Sequence, residues 1–148
     1  MIHSIPPRII RPNLELITKM RGGALAGPRP QEIRKIAVID DEPMLVRATQ
    51  RSFRDICPVE EINDPRQFLT EPDLLSRLGF DAVFTDHDMP YINGSRIMKI
   101  ARDSGYAGFL FGLTGRMEEN MPKFYSAGAD LVLPKPLIDL KLTDLFSL

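Results

Sequence analysis

The chain has 148 residues, of which 43% are hydrophobic and 26% are charged, and its formal net charge is −1. This length and balance suit one domain that buries a core, and no apolar run reaches the roughly 18 residues of a membrane-spanning helix. The single cysteine, Cys57, excludes an internal disulfide and a Cys/His zinc cluster, and the N-terminus shows no secretory signal, so we expect a cytoplasmic protein that contacts no membrane.

Residues 1–32 form a basic segment that contains many prolines and glycines, and we interpret it as an N-terminal arm. The stretch "GGALAGPRP" (22–30) is typical of a linker, and "NLELITKM" (13–20) is long enough for two helical turns. The simplest interpretation of the arm as a whole is irregular structure. Its Lys and Arg residues are sparse and no aromatic residue lies between them, so we expect no direct nucleic-acid binding.

After the arm, short apolar stretches alternate with helical patterns. The stretch "IRKIAVIDDEP" (33–43) predicts a first strand that ends in acids, and a helix with proline in its first turn follows over 43–56. "VEEI" (59–62) predicts a short second strand. The stretch 65–79 predicts one helix, with an extra turn or loop around its central Glu-Pro pair.

The second half of the chain continues the same alternation. Its predicted elements are a strand at 80–86, a helix at 94–105, a strand at 107–115, a helix at 118–129 interrupted at Pro122, a strand at 130–136 and a last helix at 137–148. Five strands that alternate with five helices predict a parallel sheet covered on both faces. Binding sites in such sheets lie beyond the carboxyl ends of the strands.

Polar residues stand at four of these strand ends: Asp40, Asp41, Asp86, Asp88, Thr114 and Lys135. Each acid alone is typical of a turn or a helix N-cap. Crowded carboxylates repel one another unless a cation neutralises them, and a hard oxygen site of this kind suits Mg²⁺. With an ammonium and a hydroxyl beside them, the set predicts a cradle for a phosphoryl group carried on a carboxylate.

The motifs "VIDDEP", "DAVFTDHDMPYINGSRIM", "GLTG" and "GADLVLPKP" resemble those of the receiver domain of two-component response regulators. The resemblance covers residues 33–148 and implies a flavodoxin-like, doubly wound (βα)5 fold with a parallel five-stranded sheet of order 2-1-3-4-5. It implies that Asp86 accepts a phosphoryl group and that Thr114 and Lys135 contact the phosphoryl oxygens. It also implies that the peptide bond before Pro136 is cis.

The same resemblance implies a metal site and partners. Asp40, Asp41 and Asp86 would hold Mg²⁺, and Asp88 would add its backbone carbonyl rather than its side chain. The phosphodonor would be a sensor histidine kinase or a phosphotransfer protein. The family uses its fourth and fifth helices for contacts, and the predicted last helix has more apolar residues than one buried stripe needs, so we expect a homodimer or an effector contact there.

The sequence departs from the family at two positions, and two alternative functions stay open. Val132 stands where an aromatic residue is usual, and Gly115 stands where alanine is common. The first alternative is a haloacid-dehalogenase-type phosphatase, because "DHD" (86–88) is similar to the DxD motif of that family, although Pro90 and the early position of the other acids do not fit it. The second alternative is a binding module that keeps the receiver fold without phosphorylation.

Overall fold

The structure is a computed structural model that describes residues 9–147. The start of the predicted arm, residues 1–8, and the last residue of the predicted final helix, Leu148, lie outside the described residues. Within residues 9–147 the strands are β1 Arg11–Pro12, β2 Ile36–Ile39, β3 Val59–Glu61, β4 Ala82–Asp86, β5 Phe109–Thr114, β6 Leu131–Pro134 and β7 Phe146–Ser147. The helices are α1 Leu14–Arg21, α2 Pro43–Ser52, α3 Leu74–Arg77, α4 Gly94–Asp103 and α5 Met117–Ser126, with 3-10 helices at Pro65–Leu69 and Leu142–Leu145.

Five strands form the central sheet, in the spatial order β3-β2-β4-β5-β6, and every neighbouring pair is parallel. Counted along the sheet's own strands, this order is 2-1-3-4-5, so the predicted flavodoxin-like fold is confirmed. In the register, Ile39 lies beside Thr85 and Asp86 lies beside Leu113. The carboxyl ends of these strands therefore meet at one edge of the sheet.

The sheet is buried on both faces, because alternate side chains of each strand point to opposite sides. Ala37 and Ile39 of β2 pack with residues of α3, α4 and α5 on one face. Ile36 and Val38 pack with residues of α1, α2 and the C-terminal segment on the other. No helix within the described residues is both long and apolar enough to cross a membrane.

From residue 9 onward, the N-terminal segment packs on the sheet rather than extending irregularly from it. The helix that "NLELITKM" suggested is present as α1, with Asn13 accepting a hydrogen bond from the Leu16 N–H as its N-cap and Ile17 fully buried. Farther along the segment, Arg29 reaches Asp130 at the start of β6. The domain boundary after residue 32 stays a prediction from composition.

The predicted last helix, 137–148, is wrong. The described part of this stretch runs irregularly to the 3-10 helix Leu142–Leu145, and β7 then pairs antiparallel with β1. Packing explains the difference, because the Phe146 ring lies 5.7 Å from that of Phe53 and 6.1 Å from that of Phe111, in the core on the second face. Helix α1 covers the part of that face beside β6, so the C-terminal segment and α1 share the surface that a final helix was expected to cover.

Two further helices differ from the prediction. Helix α5 continues through Pro122, which does not interrupt it. The carbonyl of Glu118, which loses its helical partner to the proline, belongs to an exposed residue. The stretch 65–79 divides into a 3-10 helix and the short α3, and the break falls at the predicted Glu-Pro position. Proline disfavours helical conformation in the residue before it, which accounts for the break.

Candidate functional site

Each predicted site residue lies at the carboxyl edge of the sheet. Asp40 and Asp41 follow β2, Asp86 ends β4, Thr114 ends β5, and Lys135 follows β6. The strands that carry them are neighbours in the sheet. The parallel topology therefore brings together side chains that are far apart in the sequence.

Three carboxylates and one ammonium form the centre of the site. Asp40, Asp41 and Asp86 each offer an oxygen, and these oxygens all lie within 4.8 Å of one another. The Nζ of Lys135 lies 2.9 Å from Oδ2 of Asp40 and 3.2 Å from Oδ1 of Asp86, so it bridges the two acids. Asp40 and Asp86 are buried, whereas Asp41 is exposed and opens the cluster to solvent.

Burial and the neighbouring charges both shift the pKa values of Asp86 and Lys135. Burial raises the pKa of Asp86 above its usual value and Asp40 adds to this rise, although Lys135 and the His87 N–H oppose it. Burial alone would lower the pKa of Lys135, but its hydrogen bond to Asp40 and the charges of both acids outweigh burial and raise it. The lysine is therefore charged at neutral pH, and negative charge still exceeds positive charge in the cluster.

This donor set fits Mg²⁺. A magnesium site uses hard oxygen ligands, typically one or two carboxylates plus waters and phosphate oxygens. Asp40, Asp41 and Asp86 supply carboxylates in one cluster, and the exposed side chain of Asp41 leaves room for water ligands and for entry of the ion. Burial is the main cause of the raised pKa of Asp86, and a divalent cation would relieve the repulsion from Asp40 that adds to it.

The side chain of Asp88 lies outside this cluster. Its two oxygens accept hydrogen bonds from Arg116 at 3.3 and 3.2 Å, and one of them lies 3.3 Å from Nδ1 of the buried His87. The hydrogen bond from Arg116 lowers the pKa of Asp88. The second acid of "DHD" is therefore tied to Arg116 and its side chain takes no part in the carboxylate cluster. Whether its backbone carbonyl binds a metal stays a prediction.

The Thr114 hydroxyl faces helix α5. Its Oγ1 accepts hydrogen bonds from the Arg116 N–H at 3.0 Å and from Nδ2 of Asn120 at 2.8 Å. Within the described residues it makes no hydrogen bond to Asp86 or Lys135. Asn120 was not among the residues predicted from the sequence. The signal that could have indicated it is its spacing of four residues from the buried Phe124, which places both side chains on the inner face of α5.

Close backbone packing positions the acceptor strand. Gly94 begins α4, and a Cβ there would collide with the carbonyl oxygen of Asp86 and lie 3.1 Å from the ring of Phe124. Its N–H donates to the carbonyl of His87 at 3.0 Å. Only glycine allows this approach, so the helix start holds the end of β4 in place. At Gly115, by contrast, a Cβ would meet only the carbonyl oxygen of Lys135, at 4.0 Å.

A large cavity gives access to the site from one side. Its volume is about 820 Å³, and it runs from Asp86 and Lys135 between helix α2 and segment 136–143, which leads into the second 3-10 helix. Leu45 lines one wall and Leu140 the other. The peptide bond between Lys135 and Pro136 at its edge is cis, as the resemblance implied.

Comparisons with known proteins agree with this geometry. The family model "Response regulator receiver domain" matches residues 36–146. The structure is similar to the BeF3-activated DrrB receiver domain, with 23% identity, a TM-score of 0.60, and coverage of 72% of this chain and 87% of that one. A search of the curated proteins gave no significant match.

Two further solved structures resemble the fold. Chemotaxis protein CheY4 of Vibrio cholerae is 22% identical, with a TM-score of 0.61 and coverage of 72% of this chain and 89% of that one. A CheY-like receiver domain protein from Methanospirillum hungatei is 19% identical, with a TM-score of 0.60 and coverage of 72% and 84%. At these identities the structural likeness concerns the fold alone. The family model matches the span that contains every site residue, and the chain therefore belongs to the response regulator receiver domain family.

Proposed function

We propose that this chain is a phosphoacceptor in a two-component phosphorelay and that Asp86 is the residue phosphorylated, in a Mg²⁺-dependent manner. The observation that carries the proposal is the position of Lys135, whose Nζ bridges Asp40 and Asp86 inside a cluster of three carboxylates. An ammonium and a metal-binding acid pair around one carboxylate are what phosphoryl transfer onto that carboxylate requires.

Each residue of the site has a separate role in the phosphoryl transfer. A carboxylate oxygen of Asp86 forms a bond to phosphorus as the bond from phosphorus to the donor's leaving group breaks, and the electron pair leaves with that group. For a phosphohistidine donor the leaving group is an imidazole nitrogen, which then takes a proton. Lys135 stabilises the negative charge on the transferred oxygens, and Thr114 donates a hydrogen bond to one of them. Asp40, Asp41 and Asp86 would hold Mg²⁺, which would neutralise negative charge at the site.

The donor in this proposal is a sensor histidine kinase or a phosphotransfer protein, and phosphorylation switches the binding of a partner. The chain itself is not a general enzyme: it promotes its own phosphorylation and dephosphorylation only. The expected contact through the last helix needs revision, because that helix is absent from the described residues and Leu145 and Phe146 are buried. Ile138 in the same segment is 85% exposed, so a homodimer or effector contact would use α5 and this exposed segment instead.

Labelling by a small phosphodonor tests the function. We expect acetyl phosphate with Mg²⁺ to add one phosphoryl group, detected by intact mass, and chelation of the metal to prevent it. Asp86→Asn should abolish labelling and keep the fold, whereas the matched variant Asp88→Asn should still be labelled. Labelling that persists in Asp86→Asn, or a wild-type protein that is never labelled, would refute the proposal; in the latter case the receiver-like binding module becomes the better account.

A further inference from the structure

Asn120 is a buried polar residue to which the proposed function gives no role. Its side chain is fully buried on the inner face of α5. Its Nδ2 donates to Oγ1 of Thr114 at 2.8 Å, the shorter of the two hydrogen bonds that this hydroxyl accepts. A buried amide is costly unless its polar atoms are paired, so its presence beside the site calls for a physical reason.

The orientation of the amide follows from its second neighbour. Nδ2 also lies 3.3 Å from Oδ2 of Asp88. An ionised carboxylate only accepts hydrogen bonds, so the nitrogen rather than the oxygen of Asn120 faces it. The Oδ1 atom of Asn120 is then buried and has no hydrogen-bond partner within residues 9–147. The amide depends on Thr114 and Asp88 for all of its side-chain hydrogen bonding.

The amide and the Arg116 N–H together fill both acceptor positions of the Thr114 hydroxyl. The hydroxyl is thereby directed to α5, and it makes no hydrogen bond to Asp86 or Lys135 in the part of the chain that the structure describes. In the proposed switch, engagement of a phosphoryl group on Asp86 would turn the Thr114 side chain away from Asn120. The amide nitrogen then keeps only its longer contact with Asp88.

We propose that Asn120 is a positioning residue that holds Thr114 in its resting orientation and so opposes its engagement of phosphorylated Asp86. This inference rests on the proposed function, because Asp86 is the group that Thr114 would engage. Releasing Thr114 leaves the Asn120 amide buried with even fewer partners than before. This cost arises only in the phosphorylated state. It therefore shifts the equilibrium between the two orientations of Thr114 to the resting one, in which Thr114 is bonded to Asn120.

The test replaces the amide with an apolar side chain of similar volume. Asn120→Leu removes the hydrogen-bond donor. We expect its affinity for the phosphate mimic beryllofluoride, measured with Mg²⁺ by calorimetry, to rise about tenfold. A tenfold change corresponds to the loss of one buried hydrogen bond. The matched control is Tyr125→Phe on the same helix, which removes the hydroxyl that accepts from the Val132 N–H at 3.2 Å and does not touch Thr114. Its affinity should equal that of the wild type.

Two further measurements separate a positioning role from a structural one. In a Thr114→Val background there is no hydroxyl to hold, so Asn120→Leu should no longer change the affinity. In protein without phosphate or mimic, NMR couplings should show that the Thr114 side chain changes its rotamer populations in Asn120→Leu. Asn120→Ala repeats both measurements should the leucine variant fail to fold.

An affinity that is unchanged or weaker in both Asn120 variants overturns the inference, as does a tenfold gain that persists without the Thr114 hydroxyl. The rotamer measurement needs no mimic, and unchanged populations overturn the inference by themselves. A wild-type protein that binds no beryllofluoride refutes the proposed function instead. The failure of the two proposals can therefore be told apart.

Discussion

Replacing Asp130 should test whether the N-terminal segment is part of the folded domain. This carboxylate is 1% exposed at the start of β6, at the edge of the sheet opposite the site. Both its oxygens lie 3.1 Å from Nε of Arg29, and one accepts from Nη2 of Arg102 at 2.9 Å and from the Leu110 N–H at 3.0 Å. One carboxylate thus joins residues from three distant parts of the chain.

The geometry sets the size of the effect. Asp130→Ala leaves two largely buried guanidinium groups and one buried N–H without this partner. Because breaking a buried ion pair costs about 3–5 kcal/mol, we expect the free energy of unfolding to fall by that amount. Arg29→Met keeps the apolar stem and leaves Asp130 bonded to Arg102 and Leu110. It should cost less, about 1.5–3 kcal/mol, which is typical of a hydrogen bond to a charged group.

Urea denaturation followed by circular dichroism measures both variants, since the chain has no tryptophan for fluorescence. Arg34→Met is the control, because its salt bridge with Glu32 is on the surface and should contribute nothing measurable. We expect the loss to be largest for Asp130→Ala, smaller for Arg29→Met and absent for the control. If Arg29→Met is as stable as the control, the N-terminal segment is not held by this ion pair and the reasoning fails.

Three further predictions concern the site. Because burial raises the pKa of Asp86, the folded state binds this proton more tightly than the unfolded chain does. The contribution of Asp86 to the free energy of unfolding is therefore complete only below the ordinary pKa of 3.8 and is lost as the pH rises. Without added metal, Asp86→Asn should therefore raise the Tm at pH 7, and the gain should vanish below that pH; an equal gain at both pH values would contradict this. Gly94→Ala should cost about 1–3 kcal/mol by overpacking, whereas Gly115→Ala should be tolerated; equal denaturation midpoints would contradict the packing argument. Asp41→Ala should weaken Mg²⁺ binding in a calorimetric titration far more than Asp88→Ala, and equal losses would show that the ligand assignment is wrong.

Much of the fold could be predicted because its signals are local. The strand at 80–86 is an apolar run that ends in an acid, and the structure has β4 at Ala82–Asp86. The convergence of the predicted site residues follows from the topology: once the strands are parallel, the residues that follow them must meet at one edge. Asp40, Asp86 and Lys135 are brought into contact by topology alone, and no fine detail of packing is needed.

Residues whose roles depend on a distant neighbour could not be predicted in this way. Asn120 is one residue among several on a helix, and only the structure places its amide against Thr114 and Asp88. Asp130 lies within the "GADLVLPKP" motif, but nothing in that motif indicates that it pairs with Arg29, 101 positions away. Long-range pairs of this kind leave no periodic pattern in the sequence.

By itself, the sequence determined the parallel sheet, its strand order through the family resemblance, and the residues at its carboxyl edge. Only the tertiary structure decided which segment covers the second face. The apolar residues at 137–148 suit a helix, but Phe146 is buried against the rings of Phe53 and Phe111, and α1 from the N-terminal segment takes the space beside β6. Strand and helix patterns show which residues must be buried. Whether α1 or a C-terminal helix covers this surface depends on packing between distant segments, and neither segment encodes that choice alone.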